Sequence, residues 1–188
     1  MKRFILSVTV MTMLATLMIA TVGYAKSGTG PSPGPNPGPD INCSGTCDGT
    51  EHDETITGSP NHDEIRAQGG RDTVYGKGGD DDLYGNGGGD TIYGGTGNDN
   101  LYGGGGNDKL YDERGPLTND LADTDKLYGG DGNDLLNAHD GDSQDWLYGE
   151  GGTDYCIGES YDHFNTCEDG EKWTPSGKET GWSGNNNP

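Results

Sequence analysis

Gly76–Tyr84 (GKGGDDDLY), Gly85–Tyr93 (GNGGGDTIY), Gly94–Tyr102 (GGTGNDNLY) and Gly103–Tyr111 (GGGGNDKLY) stand end to end without interruption. Each unit opens on glycine and carries an aspartate at its sixth position, an aliphatic residue at its eighth and a tyrosine at its ninth. The acid and the aliphatic residue are two apart, which fits a short strand entered from a loop. Self-similarity at a fixed period is the mark of a repeat architecture, in which each unit buries its apolar residue against its neighbours.

The same period extends in both directions. Looser copies precede the core at Gly49–Thr57, Gly58–Arg66 and Ala67–Tyr75. Others follow at Gly129–Asn137 and Gly149–Ile157, with irregular copies ending at Tyr128 and Tyr148. Across all of them the sixth position is acidic: Glu54, Asp63, Asp72, Asp81, Asp90, Asp99, Asp108, Asp125, Asp134, Asp145 and Asp154. Two residues later stand Ile56, Ile65, Val74, Leu83, Ile92, Leu101, Leu110, Leu127, Leu136, Leu147 and Cys156. Glycines permit positive φ, so a tight loop can turn its carbonyl oxygens toward one point. Ca2+ takes about six to eight hard oxygen ligands from carboxylates and carbonyls. A stack of such loops supplies both kinds, so the acids at the sixth position are candidate calcium ligands.

These units resemble the G-G-x-G-x-D-x-U-x nonapeptides of the RTX (repeats-in-toxin, haemolysin-type) calcium-binding family. The resemblance runs from residue 49 to about 157. It implies an all-β fold, a right-handed parallel β-roll (a solenoid) with two nonapeptides per coil, so that loops 18 residues apart share an edge. It also implies several calcium ions lying between same-edge neighbours, with Asp63, Asp72, Asp81, Asp90, Asp99, Asp108, Asp125, Asp134, Asp145 and Asp154 as ligands. The best-matched pairs are Asp63/Asp81 and Asp81/Asp99 on one edge, and Asp72/Asp90 and Asp90/Asp108 on the other. Glu54 departs from the family's aspartate. Asp112 to Asn119 breaks the pattern with Pro116; Asp108 to Asp125 is 17 residues instead of 18, and Asp125 to Asp145 is 20. The winding is expected to continue there through bulges.

Alternation along each strand places the ninth-position tyrosines outward. That predicts one ladder of Tyr75, Tyr93 and Tyr111 and a second of Tyr84 and Tyr102, which either stiffen the faces by cross-strand packing or form a platform for polysaccharide.

The ends of the 188-residue chain read differently. Lys2 and Arg3 precede an apolar run from Phe4 to Val22, and Gly23-Tyr24-Ala25 offers small residues at a cleavage site. This predicts a secretory signal peptide over 1–25; the run is also long enough for an uncleaved anchor. Residues 26–42 are a Pro/Gly-rich linker, 43–167 the roll, and 168–188 a polar tail expected to be disordered.

Cleavage after Ala25 leaves 9 Lys+Arg against 32 Asp+Glu, a net charge of −23 with no membrane span in the mature chain. A surface this acidic repels nucleic acid and anionic membranes.

Four cysteines in an exported chain read as two disulfides. Cys43 and Cys47 precede the repeats, while Cys156 and Cys167 end them. Stacked coils rising about 4.8 Å each carry the two ends beyond disulfide reach. The local pairs Cys43–Cys47 and Cys156–Cys167 are therefore expected as caps.

Enzymatic machinery is not legible, and no catalytic or organic-cofactor residue is assigned. His52-Asp53-Glu54 and His62-Asp63-Glu64 are not HExxH, no G-x-S-x-G occurs, and no Lys-Ser/Thr phosphate loop is present. Asp140-Gly141-Asp142 starts like an EF-hand loop, but Asp145 replaces its turn glycine and Gly151 its final acid. The sequence thus predicts an extracellular, non-catalytic calcium-binding structural or interaction module. The alternative is a calcium-dependent adhesin for cell-surface polysaccharide.

Overall fold

The computed structural model describes residues 38–112, 123–141, 144–174 and 177–180. The predicted signal peptide, most of the linker and the segment around Pro116 lie outside the described residues. Among the described residues the regular structure is strand and turn, with no helix.

In chain order the strands are β1 (Ile41–Asn42), β2 (Thr46–Asp48), β3 (Thr55–Thr57), β4 (Glu64–Arg66), β5 (Gly69–Gly70) and β6 (Thr73–Gly78). Then come β7 (Asp82–Gly88), β8 (Thr91–Thr96), β9 (Asn100–Gly105), β10 (Lys109–Tyr111), β11 (Lys126–Gly132) and β12 (Leu135–Asn137). The series closes with β13 (Trp146–Gly152), β14 (Tyr155–Glu159), β15 (His163–Asn165), β16 (Asp169–Thr174) and β17 (Gly177–Thr180). The chain alternates between two sheets, so neighbours within a sheet are a full coil apart in sequence. One sheet runs β1-β3-β6-β8-β10-β12-β14-β16-β17 and the other β15-β13-β11-β9-β7-β4-β2, with β5 beside β7. Every pairing is parallel except β16 with β17, and the whole is a β-solenoid of about seven turns.

The eighth-position residues meet in register. Ile56, Val74, Ile92, Leu110, Leu136 and Cys156 form one inner column. Cys47, Ile65, Leu83, Leu101, Leu127, Leu147 and Phe164 form the facing one. From Ile56 to Leu147 these side chains are fully buried. Each contributes about 1.5–3 kcal/mol, which is little for nine ordered residues. The core is therefore a single file of aliphatic side chains, and the remaining support must come from the loops at its two edges.

The irregular spacing after Asp108 resolves differently from a simple bulge. Asp99 pairs across a coil with Asp125 and Asp108 with Asp134, both 26 residues on, and the next coil spans 20. Asp108 and Asp125, 17 apart, therefore stand on opposite edges; the interval is a half-coil lengthened by an insertion. Leu101 still pairs with Leu127 and Leu110 with Leu136, because a longer loop leaves strand pairing intact at small entropic cost.

Both expected disulfides are formed. Cys43–Cys47 and Cys156–Cys167 have Cα separations of 5.9 Å and 6.0 Å, and each closes one end of the core. Past Cys167 the chain does not turn into a tail at once. β16 adds to β14 in parallel and β17 folds back on it antiparallel. A non-repetitive strand like this carries no nonapeptide signal.

Candidate metal centre

Each edge of the roll is a column of acids. On one edge the backbone N–H of Glu54 donates to Asp72 Oδ1 (2.7 Å), Asp72 to Asp90 (2.8 Å), Asp90 to Asp108 (2.7 Å), Asp108 to Asp134 (2.8 Å) and Asp134 to Asp154 (2.9 Å). On the other, Asp63 donates to Asp81 (2.7 Å), Asp81 to Asp99 (2.7 Å), Asp99 to Asp125 (2.5 Å) and Asp125 to Asp145 (2.9 Å). The pairs Asp63/Asp81, Asp81/Asp99, Asp72/Asp90 and Asp90/Asp108 implied by the resemblance are all present, whereas Asp125 joins the edge of Asp99 and not, as its 17-residue step from Asp108 suggested, that of Asp108. Two further acids extend the columns: Asp162 Oδ1 accepts from Asp145 N–H (3.2 Å) and Glu168 Oε2 from Asp154 N–H (2.8 Å). Both lie outside the repeat register, so spacing does not reveal them.

The ladder uses only one oxygen of each carboxylate. The Oδ2 atoms of Asp72, Asp81, Asp90, Asp99, Asp108, Asp134 and Asp154 are buried and accept no hydrogen bond, although the residues are at most 3% exposed. Burying a carboxylate oxygen without a partner is costly. The surroundings sharpen the problem. A Cβ placed on Gly76 would lie 2.5 Å from Asp81 Oδ2 and 2.4 Å from the Gly94 carbonyl oxygen. At Gly85 the corresponding distances are 2.5 Å to Asp90 Oδ2 and 2.7 Å to the Gly103 oxygen. Two acceptors converge on one small volume, and the first glycine of the repeat keeps it clear. Hard oxygens gathered without a donor suit a hard cation such as Ca2+.

These loops share a backbone signature. In the loops ending at those seven aspartates, position two has φ between +70° and +116° and position four between +102° and +155°. Glycine is free to adopt such angles, but Gln68, Lys77, Asn86 and Glu150 hold position two there at some cost.

The electrostatics agree. Burial pushes the carboxyls of Asp72, Asp81 and Asp134 up to about 7, Asp90 to about 8 and Asp99 to about 9. Asp108 rises to about 6 by the same cause, and Asp154 is also raised. Without a counter-charge these groups favour their protonated form.

Asp63 stands apart. Its Oδ2 accepts from Ser59 N–H (2.6 Å) and its Oδ1 from Gly45 N–H. Burial alone would raise this carboxyl, but those hydrogen bonds outweigh it and hold the group below the usual aspartate range. Glu54 likewise has a donor on each oxygen: Thr50 gives its N–H to Oε2 (3.0 Å) and its hydroxyl to Oε1.

At the far end Asp112, Asp140 and Asp145, all buried, bring carboxylate oxygens within 4.8 Å of one another. Asp112 and Asp140 are not sixth-position acids, so the period does not expose them.

A second, more exposed ladder lies one residue before the acids and runs the other way. Asp80 Oδ1 accepts from Asn98 N–H (2.9 Å), Asn98 Oδ1 from Thr124 (3.0 Å), Asn107 from Asn133 (2.9 Å) and Asn133 from Thr153 (2.9 Å). Its signal was present in the recurrent Asn-Asp pairs Asn98-Asp99, Asn107-Asp108 and Asn133-Asp134.

The tyrosines form two outward stacks, as expected. Tyr75, Tyr93 and Tyr111 are spaced 5.1 and 5.0 Å. Tyr84 and Tyr102 continue through Tyr128 to Tyr148 at 4.7–4.8 Å with rings within 6° of parallel.

Comparison with curated proteins and with solved structures finds no significant match. The family of the RTX calcium-binding nonapeptide repeat matches in four copies, over residues 48–83, 84–111, 120–144 and 140–160. The loops with unpartnered carboxylate oxygens fall within those copies, and this chain belongs to the RTX calcium-binding nonapeptide repeat family.

Proposed function

We propose that this protein is an extracellular, non-catalytic module whose β-roll winds when calcium binds. The observation that carries the reading is the set of seven buried carboxylates, each with one oxygen in the ladder and one without a donor. Asp72, Asp81, Asp90, Asp99, Asp108, Asp134 and Asp154 hold the ions together with loop carbonyls, and Asp125 and Asp145 extend the columns beyond them. Bound calcium supplies the positive charge that lets these carboxylates remain ionised in a buried ladder. The chain's own part is to present Oδ2 toward the loop while Oδ1 fixes the side chain to the preceding coil. A ligand that binds only the wound form shifts folding by mass action.

Export is supported by the apolar segment Phe4–Val22 with its small-residue cleavage site, and by two disulfides that suit an oxidising compartment. The polysaccharide reading is less favoured, because the tyrosine rings lie face to face with one another and offer edges and hydroxyls in place of open faces. Circular dichroism of the disulfide-intact protein tests the proposal. At pH 7.5–8, a disordered spectrum in chelator should convert cooperatively to a β spectrum on adding Ca2+. Mg2+ should substitute poorly, since it demands a tight octahedron and dehydrates reluctantly. An identical β spectrum in both conditions, with metal shown to be absent, overturns it.

A further inference from the structure

The acids of the roll are not equivalent, and the difference lies in where the loop N–H groups point. We propose that calcium is excluded from the first two half-coils, where Glu54 and Asp63 use the chain's own N–H groups in place of the ion. This inference rests on the calcium-binding reading above and divides the columns that reading treats as uniform.

Three observations separate the two classes of loop. Loops 49–54 and 58–63 carry Thr50 and Ser59 at position two, and neither residue has a positive φ. In that conformation each N–H turns inward: Thr50 donates to Glu54 Oε2 at 3.0 Å and Ser59 to Asp63 Oδ2 at 2.6 Å. In the seven loops with the left-handed pair at positions two and four, Oδ2 of the closing aspartate has no donor.

The sequence explains the split. Pro60 disfavours α and restricts Ser59 to extended backbone, while Asn61 and His52 replace the position-four glycine. A carboxylate that already accepts an N–H on each oxygen has less to give a cation, and an inward N–H is itself repelled by one. Asp63 therefore seals the face it shares with the loop of Asp81.

Among the loops described in full, the two edges differ. Along the edge that starts at Glu54, the loops ending at Asp72, Asp90, Asp108, Asp134 and Asp154 are consecutive neighbours, each joined to the next by the acid ladder. Along the edge that starts at Asp63, only the loops ending at Asp81 and Asp99 carry the signature among the loops described in full. The first coil is then a protein-only cap beside the Cys43–Cys47 disulfide, and calcium begins with the second.

Counting bound calcium per chain by native mass spectrometry on the full mature, disulfide-intact protein tests this. Asp63→Asn should leave the count unchanged, whereas Asp90→Asn should lower it. Writing glycine into the sealed loop, as Ser59→Gly/Pro60→Gly/Asn61→Gly, should add one ion, and adding Asp63→Asn to that variant should remove it. Loss of an ion in Asp63→Asn alone, or no gain in the glycine variant, overturns the inference while leaving calcium binding intact. A wild-type chain that binds no calcium refutes the proposed function instead.

Discussion

Withdrawing calcium should make folding of this protein depend on acidity in an unusual sense, with the metal-free roll favoured at low pH. The groups responsible are Asp90 and Asp99, the most strongly raised of the orphaned carboxyls, which burial pushes to about 8 and about 9. An unfolded aspartate titrates near 3.9. Folded values above unfolded ones mean that the folded state binds the proton more tightly. The associated stability is fully present below about pH 4 and is lost as pH rises toward the folded values.

At pH 5 each group disfavours the metal-free roll by roughly 1.5 kcal/mol, and at pH 7 by about 4 kcal/mol, taking 1.36 kcal/mol per unit. Two such groups remove about 8 kcal/mol at pH 7, comparable to the whole stability of a small domain, which is about 5–15 kcal/mol. The repulsion within a chain of net charge −21 acts in the same direction.

Far-ultraviolet circular dichroism of chelator-treated, disulfide-intact protein should show β structure near pH 4–5 that disappears by pH 7–8. Calcium should restore it at the higher pH, and its apparent affinity should fall on acidification as protons compete for the same oxygens. β signal in chelator that is flat or rises from pH 5 to pH 8 would refute the assignment of these carboxyls as buried and uncompensated.

The remaining expectations concern single sites. Asp90→Ala should damage calcium binding more than any terminal acid, since its loop has same-signature neighbours on both sides, whereas Glu54→Ala should leave calorimetric calcium binding nearly unchanged. Gly85→Ala places a Cβ 2.5 Å from Asp90 Oδ2 and 2.7 Å from the Gly103 oxygen, so it should weaken binding far more than Gly87→Ala, whose nearest atom would be 3.7 Å away. Leu101→Ala, in the middle of the single-file core, should destabilise the calcium-bound roll by about 2–5 kcal/mol in denaturant titration. Non-reducing peptide mapping should recover Cys43–Cys47 and Cys156–Cys167, and a peptide linking the two ends of the chain would contradict the elongated solenoid.

What was legible in the sequence, and what was not, follows from how a repeat encodes structure. Gly76–Tyr111 specifies its strands, its edges and its tyrosine stacks because each nonapeptide solves one local problem and the next unit repeats it. Position eight faces in, position nine faces out, and position six meets its counterpart one coil away. Nothing in that code requires a long-range contact to be guessed.

The code fails where a residue acts through its particular neighbours. Asp63 fits the register as well as Asp81 does, but Ser59 and Pro60 turn the loop so that a backbone N–H occupies the oxygen a cation would need. Sixth-position identity alone cannot distinguish the two, whereas the missing glycine at position four can: Asn61 stands where the Asp81 loop has Gly79. Asp112 and Asp140 evade the period because neither stands at its sixth position; Asp112 takes the first position, directly after Tyr111 and stacked on Gly94. Asp162, Glu168 and β16 close the roll with a sequence that has stopped repeating. Termini of a solenoid have a neighbour on one side only, so they must satisfy their last ladder by other means, and those means are idiosyncratic. At the C-terminal end they are the off-register acids Asp162 and Glu168, which accept the N–H groups of Asp145 and Asp154. At the N-terminal end they are Gly45, Thr50 and Ser59, which donate to Asp63 and Glu54. The same physical demand, that no buried carboxylate or amide be left without a partner, is thus met by protein atoms where the repeat begins and, in the function proposed above, by calcium in the middle of the roll.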